Sequence, residues 1–502
     1  MNNSSNKIKL VTLLAGFISM ELEILGTRIL TPIFGSTIYV WTSLIGVTLI
    51  FLALGYWYGG KLADKKKITI NVLGIIIFFL GAYIVLFPYI SKLLLVLVID
   101  LGIIIGPLIS SFIILSFPVF FLGFVVPSSV KLITQSLEKV GTRAGEIYSL
   151  ATIGSIIGTF VTGFFLIPYL GVTMSALVTG IGLMLLSSFI IKPKFRILFL
   201  LIIPLLATPL MASSVPPEIL ESFDSHYGQI RIIQHGDHLR LFMGIVPQTA
   251  INIKTKENEI GYIRYFEIPF ILNYNYEKVL MIGLAGGYNA KQLVKKYDIE
   301  LDVIEIEPRM LDLAKRYFYW EDEANVYFDD ARHFLRQTQD KYDVVIYDLG
   351  YVHPAWHLYT KEAFQEMNNH LNQDGILLFN VFAAKEGEYS KLTQTLYKTL
   401  QQVFYDIIIL RNPGIDPKET HPMVFLASKK RIDEKTLISL LNDSQYSGAS
   451  IEKIIEDNST FQVDENIELT TDDHPLAEFY DYKNWEDWGI IGKNSLSYFL
   501  PY

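Results

Sequence analysis

Seven long apolar runs crowd the first 213 residues: Leu10–Leu30, Trp41–Gly60, Ile70–Ile90, Leu108–Val130, Gly145–Tyr169, Val172–Ile191 and Ile197–Ala212. Crossing a bilayer as a helix takes about 20 apolar residues, and most of these runs reach that length. The spacing predicts a multi-pass α-helical membrane domain over residues 1–213, with about six to eight spans. The first run is no cleavable signal peptide, because Glu21, Glu23 and Arg28 sit in it and no cleavage site follows. Gly154, Gly158 and Thr162 recur every fourth residue and give a small-residue face for close helix packing. Ionisable groups inside a span are costly and usually functional. Glu21 and Arg28, seven apart on one helix face, read either as an ion pair orienting the first helix or as a substrate contact; Asp100 reads as interfacial.

Charge divides the chain. Residues 1–213 hold 14 Lys+Arg against 6 Asp+Glu, net +8, so that residues 214–502 carry −17 of a total of −9. A half this acidic lacks the basic face that phosphate contacts require, which argues against nucleic acid as a partner. With no cysteine, disulfides, thiolate chemistry and cysteine-based zinc sites are excluded. His353 and His357 are the one histidine pair at helical i, i+4 spacing, and a hydrogen-bonding role is preferred to a metal site there.

The second half is organised around Tyr276–Asp312. An apolar strand, Val279–Ile282, runs into a glycine turn at Gly283, Gly286 and Gly287, then a helix from Asn289 to Lys296 and a second strand, Leu301–Ile306. Such a turn brings backbone N–H groups and a positive helix end to a ligand, and an acid after the next strand, here Glu305 with Glu307 nearby, can accept ribose hydroxyls. Asp330-Ala331 follows a third strand, Asn325–Phe328, where an adenine amino group can reach the acid. A fourth strand, Tyr342–Asp348, ends in an acid at the edge where open α/β sheets hold ligands. Before this core, Tyr227–Val246 alternates about a Gly236-Asp237 turn and reads as a β-hairpin, followed by Gln248 and a helix over Ile260–Leu272. After it come a helix (Lys361–Asn372), a strand (Gly375–Val381), a helix (Lys391–Val403) and an antiparallel pair, Ile407–Leu410 with Met423–Ala427. The expected fold of this half is α/β Rossmann-like, of the class I methyltransferase type, with a small N-terminal β-hairpin subdomain. The boundaries expected are 1–213 membrane, 214–272 hairpin and linking helix, 273–430 nucleoside-binding, and 431–502 a C-terminal segment covering the site.

The order SHYGQIRI, LRLFMGIVPQ, YFE, IGLAGG, VIEIEP, DDA and YDVVIYD resembles the spermidine synthase (polyamine aminopropyltransferase) family. WTSLIGVTLIFLALGYWYGGKLADK, VGTRAGEIYSLATIGSIIG, PAWHLYTKEAF and TTDDHPLAEFY are similar to its membrane-fused branch, so the likeness covers nearly the whole chain. The resemblance implies decarboxylated S-adenosylmethionine as donor, Glu305 as ribose acid, Asp330 and Ala331 as adenine contacts, Asp348 as proton acceptor and Tyr265 as a wall of the acceptor pocket. It also exposes losses. The family's GGGDGG turn has its amine-holding aspartate where this chain has Gly286, the second aspartate of its DSSDP-like loop falls on Tyr351, and two further polar positions are Phe266 and Gly228.

A diamine is dicationic, and holding it in a closed pocket requires paired acids. The expected reaction is therefore in-line alkyl transfer from a sulfonium donor, with Asp348 as base and Tyr351 and Tyr265 beside it, to an acceptor other than plain putrescine. Gln248, Glu267, Asp472, Asp473 and Glu478 are candidate acceptor contacts, the last three in a TDDHPLAE segment that reads alternatively as a helix entry with capping acids. Intact S-adenosylmethionine and methyl transfer are the runner-up; an amine transporter and a non-catalytic nucleoside sensor also stay open. The partners expected are the bilayer, a small amine or membrane-associated acceptor, and a second copy of the chain as a homodimer. Basic clusters at Lys7 and Lys9, Lys61 and Lys65–Lys67, Lys131–Arg143 and Lys192–Arg196 mark the cytoplasmic ends. A seventh crossing at Ile197–Ala212 would put the second half outside. Because the donor is made in the cytosol, the expectation is a multi-pass cell-membrane protein with a cytoplasmic catalytic half.

Overall fold

The apolar runs fold into six helices: α1 (Asn2–Phe34), α2 (Ile38–Asp64), α3 (Ile70–Val98), α4 (Gly102–Ile133), α5 (Val140–Val161) and α6 (Ile167–Ser188). The computed structural model describes residues 2–34, 37–65, 68–98, 101–134, 136–191, 218–244, 246–273, 275–349, 355–412, 414–433, 437, 461–477 and 480. They form two compact units, one of the N-terminal helices with Phe223–Gln229, the other of Glu218–Ser222 with the chain from Ile230 onward.

In the helical unit, Thr37 caps α2 by accepting from the Val40 N–H. Between α5 and α6 the chain makes one turn of π-helix, Thr162–Leu166, and then breaks at Gly171, whose φ of 73° suits a residue without Cβ. Four segments are long and apolar enough to cross a membrane: Ile38–Asp64, Ile70–Ser91, Ile104–Ile133 and Leu137–Ser188. These four segments cover five of the seven predicted runs. Two predicted runs fuse into the 52-residue stretch Leu137–Ser188, while Ile197–Ala212 and Asp100 lie outside the described residues.

The small-residue face works as packing. A Cβ added at Gly154 would lie 2.0 Å from Leu13 O, and one at Gly158 would lie 2.5 Å from Phe17 O, so α1 and α5 run parallel with their backbones in contact. Lys7 donates to Phe189 O, Lys9 pairs with Glu146, and Lys131 pairs with Asp64 at 3.0 Å, all at one end of the unit. At the other end Arg28 donates to Ser225 O at 3.1 Å and His226 O at 3.2 Å, and the Val172 N–H donates to Asp224 at 2.9 Å. The expected Glu21–Arg28 ion pair does not form. Arg28 caps carbonyls of the 223–229 turn instead, and Glu21 is buried without a hydrogen-bond partner.

In the second unit the expected hairpin is part of a four-stranded sheet: β1 (Ile219–Asp224), β2 (Gln229–His235), β3 (His238–Met243) and β4 (Val246–Asn252), in that order. The hairpin pairs Ile230 with Met243 and His235 with His238 around Gly236-Asp237. The helix expected over Ile260–Leu272 is a 3₁₀ stretch, Gly261–Glu267, followed by a short α7, Ile268–Leu272, which Pro269 opens at its first turn.

The main sheet has seven strands: β5 (Lys278–Ile282), β6 (Glu300–Glu305), β7 (Asn325–Phe328), β8 (Tyr342–Tyr347), β9 (Leu371–Ala383), β10 (Asp406–Leu410) and β11 (His421–Ser428), in spatial order β10-β11-β9-β8-β5-β6-β7. β5, β6, β7, β8 and β9 are parallel, and β11 closes antiparallel between β9 and β10. Period-two alternation sends Val279, Met281, Val344 and Ile346 into one buried core and Leu280, Ile282, Val345 and Tyr347 into another. A sheet covered on both faces reads as continuous apolar strands, which is how these segments stood out. The helices are α8 (Tyr288–Tyr297), α9 (Arg309–Tyr317), α10 (Ala331–Gln337), α11 (Lys361–His370) and α12 (Lys391–Leu400). The order changes direction at β5 and β8, whose C-terminal ends form the crevice in which such sheets bind ligands.

Candidate active site

Gly283 leaves β5 with φ of 102°, and a Cβ there would lie 2.3 Å from Asp348 O, so only glycine fits. Its N–H donates to Ile304 O at 2.8 Å, and the Asp348 N–H donates to Ile282 O at 2.9 Å, tying the ends of β5, β6 and β8 together. Glu305, at the end of β6, accepts from the N–H groups of Leu284 at 3.0 Å, Ala285 at 3.4 Å and Glu307 at 2.8 Å. Burial raises its pKa against the pull of those donors. Gly283, Gly287 and Glu305 therefore share one crevice end.

Asp330 caps α10, its Oδ1 accepting from the N–H groups of Arg332 at 2.9 Å and His333 at 3.1 Å. Oδ2 lies 3.0 Å from His357 Nε2, and this contact is the chief reason the Asp330 carboxyl sits below its ordinary value. His357 is thus a hydrogen-bonding partner, His353 lies outside the described residues, and no group of three metal-ligating side chains occurs among the described residues. Ala331 is buried beside Asp330.

Asp348 is the best-connected acid. Oδ1 accepts from Tyr262 Oη and Asn380 Nδ2, and Oδ2 from Asn289 Nδ2, each at 2.9 Å. Burial pushes its pKa up, and these three neutral donors pull it partly back. The tyrosine is a correction. Tyr265, the expected residue, is buried in the core with Phe266, and Tyr262, one 3₁₀ turn earlier, reaches the carboxylate. Asn289 and Asn380 also escaped the sequence reading. The available signal was an asparagine, fully buried, in the otherwise apolar run of β9.

Gly286 is more than a missing aspartate. A Cβ there would meet Thr249 Cγ2 at 2.8 Å, Thr249 Oγ1 at 2.9 Å and the Phe318 ring at 2.9 Å, and its N–H donates to Thr249 Oγ1 at 2.9 Å. The space beside the Gly286 Cα is filled.

The candidate acceptor contacts do not gather at Asp348. Glu267 accepts from Lys296 at 2.5 Å and from Tyr297 at 3.2 Å. Gln248 donates to Val246 O at 3.3 Å. Asp472 accepts from both Arg332 guanidinium nitrogens, at 2.7 and 2.6 Å, and from Thr360 at 2.7 Å. Asp473 is exposed, and Tyr351 and Glu478 lie outside the described residues. Asp472 was expected near an amine as a replacement for the acids lost at Gly286 and Tyr351, but the buried Arg332, shared with Glu366, captures it.

A Rossmann-like sheet with a glycine turn, acids after three strands and a buried carboxylate among neutral donors is an arrangement suited to a nucleoside-bearing ligand. Residues 264–411 match the spermine/spermidine synthase domain. The chain is 22% identical to polyamine aminopropyltransferase 2 of Aquifex aeolicus over 411 residues, 74% of this chain and 78% of that protein. It is 25% identical to the polyamine aminopropyltransferase of Lachnoclostridium phytofermentans over 250 residues, 46% of this chain and 87% of that protein. A probable spermidine synthase from Corynebacterium glutamicum aligns in structure with a TM-score of 0.40 and 14% identity, covering 50% of this chain and 97% of that one. Residues 264–411 of this chain thus form a spermine/spermidine synthase domain, and the chain is an enzyme of the transferase class.

Proposed function

We propose that the chain is a membrane-bound aminopropyltransferase that uses decarboxylated S-adenosylmethionine and an amine acceptor other than plain putrescine. One observation carries the reading. The carboxylate expected at position 286 is replaced by a glycine whose flank Thr249 and Phe318 occupy, while Asp348 keeps a full set of neutral donors. In the proposed step the acceptor nitrogen attacks the propyl carbon bonded to sulfur, a C–N bond forms as the C–S bond breaks, the thioether leaves, and Asp348 takes the proton lost by nitrogen. Glu305 would hold the ribose and Asp330 with Ala331 the adenine. A pocket with one fewer acid favours an acceptor of lower charge. The same loss favours, as a second reading, the carboxylate of intact S-adenosylmethionine and methyl transfer.

Calorimetric titration of the purified, detergent-solubilised chain with each donor separates them. Binding that prefers the decarboxylated form supports aminopropyl transfer; preference for the intact form refutes it; binding of neither refutes both readings.

The side of the bilayer follows the path of the chain. Lys7, Lys9, Lys131 and Arg143 lie at one end of the helical unit, and the 223–229 turn is fixed at the other by Arg28 and Val172. The positive-inside rule assigns the basic end to the cytoplasm. The 223–229 turn, which belongs to the same unit, is then read as facing the other side, in place of the cytoplasmic side expected from the origin of the donor. The chain has no cysteine, so a single Asp237→Cys variant, probed in intact cells with an impermeant maleimide, tests it; labelling only after lysis would refute it.

A further inference from the structure

We propose that the helical unit carries a second site, a pocket for a compact monovalent cation centred on Glu21. Among the described residues Glu21 is the one fully buried ionisable side chain of that unit, and neither of its carboxylate oxygens has a hydrogen-bond partner. An anion left alone in an apolar bundle is too costly to persist, so the group is either neutral or paired with a cation. The cations nearest in sequence are committed elsewhere: Arg28 to Ser225 O and His226 O, Lys9 to Glu146.

The packing register surrounds Glu21 with hydroxyls. Leu13 lies on Gly154 and Phe17 on Gly158; adding four residues to each helix sets Glu21 level with Thr162 on the same face of α5. Thr162 is fully buried, its hydroxyl oxygen has no partner, and it opens the π turn, a distortion found most often at functional positions. From α6, Thr179 faces the Glu21 carboxyl without completing a hydrogen bond. One carboxylate and the hydroxyl oxygens of Thr162 and Thr179 suit a sodium ion or the ammonium group of an amine, which has three donors and no acceptor. They do not suit a multivalent metal, since no set of three acidic or histidine ligands occurs among the described residues.

This inference requires the helical unit to lie in a bilayer but not a particular donor in the catalytic unit. The test uses the full chain in lipid nanodiscs, reacted with a fluorescent carbodiimide that adds to protonated carboxyls in apolar surroundings, with the modified peptide located by mass spectrometry. Without added cation Glu21 is labelled, and saturating sodium chloride or methylammonium chloride slows labelling at least tenfold; the arm that protects identifies the cation. Glu21→Gln abolishes the label. Thr162→Val keeps the label but raises the protecting concentration at least tenfold, so the proposal stays testable if Glu21→Gln fails to fold. Labelling indifferent to both cations would mean that Glu21 is simply a neutral buried acid. No label at Glu21 without cation would equally overturn the proposal. Donor titration on the same nanodiscs reads the catalytic unit separately, so either reading can fail without the other.

Discussion

Replacing Asp348 by asparagine removes a charge while keeping the shape of the side chain, and the structure sets what should follow. Asp348 accepts three hydrogen bonds of 2.9 Å from Tyr262, Asn380 and Asn289. An asparagine can keep its carbonyl toward Tyr262 and Asn380 and turn its amide toward Asn289, whose own side chain can flip to offer oxygen. At most one bond is lost, a cost of about 0.5–1.5 kcal/mol, and about 1–3 kcal/mol if the flip is blocked and a buried donor is stranded. Removing a positioned general base costs about 10²–10⁴-fold in rate, or roughly 3–5.5 kcal/mol of barrier. Asp348→Asn should therefore leave thermal unfolding shifted by only a few degrees and donor binding within a few-fold, while turnover collapses. The assay follows product by mass spectrometry under single-turnover conditions, beside calorimetric donor titration. Turnover within tenfold of the parent would show that Asp348 is not the proton acceptor.

Because burial holds the Asp348 pKa above its ordinary value, the ionised base is gained only as pH rises past the usual carboxylate range near 4; the acidic limb of kcat/KM should lie above that range and should vanish in whatever activity Asp348→Asn retains. By linkage the same raised pKa favours the folded state at low pH, a contribution lost as pH climbs from the unfolded to the folded value. Tyr262→Phe should lower turnover roughly tenfold or more with little loss of stability, whereas Tyr265→Phe should leave turnover within about threefold, and kinetics on both variants distinguish the two tyrosines. Asp472→Ala should destabilise the catalytic unit by roughly 1–2 kcal/mol, discounted because Asp472 is partly exposed, and leave KM for the acceptor unchanged. The Arg332 guanidinium depresses the Asp472 pKa, so its stabilisation should be present above the unfolded value and be lost as pH falls through the depressed folded one; thermal melts from pH 7 to pH 3, compared with Asp472→Ala, check the sign.

The main sheet was legible in the sequence because its strands are apolar on both faces and punctuated by glycine and acid. Val279–Ile282, Asn325–Phe328 and the closing pair Asp406–Leu410 with His421–Ser428 needed nothing beyond pattern and order. The hairpin was legible too, but not the outer strands β1 and β4, although each pairs with the strand next to it in sequence. Tyr262 was missed because Tyr265 was carried over from the family resemblance, and no local pattern in Gly261–Glu267 shows which tyrosine meets a carboxylate 86 residues away. Asp472 was misread for a different reason. A local acidic motif does not announce that an arginine 140 residues away will claim it. The fate of Glu21 and Arg28 is of the same kind, since spacing on one helix shows which side chains share a face but not which carbonyls approach it.

The crowding around Gly286 acts as a ratchet. An aspartate restored there alone would drive its Cβ into Thr249 and Phe318, and overpacking of that kind typically costs 1–3 kcal/mol. The first step back towards a doubly acidic pocket therefore lowers stability before it can improve binding, and at least one neighbour has to shrink beforehand. A lineage that has filled this space is held on its present side by packing, whatever amine its surroundings offer.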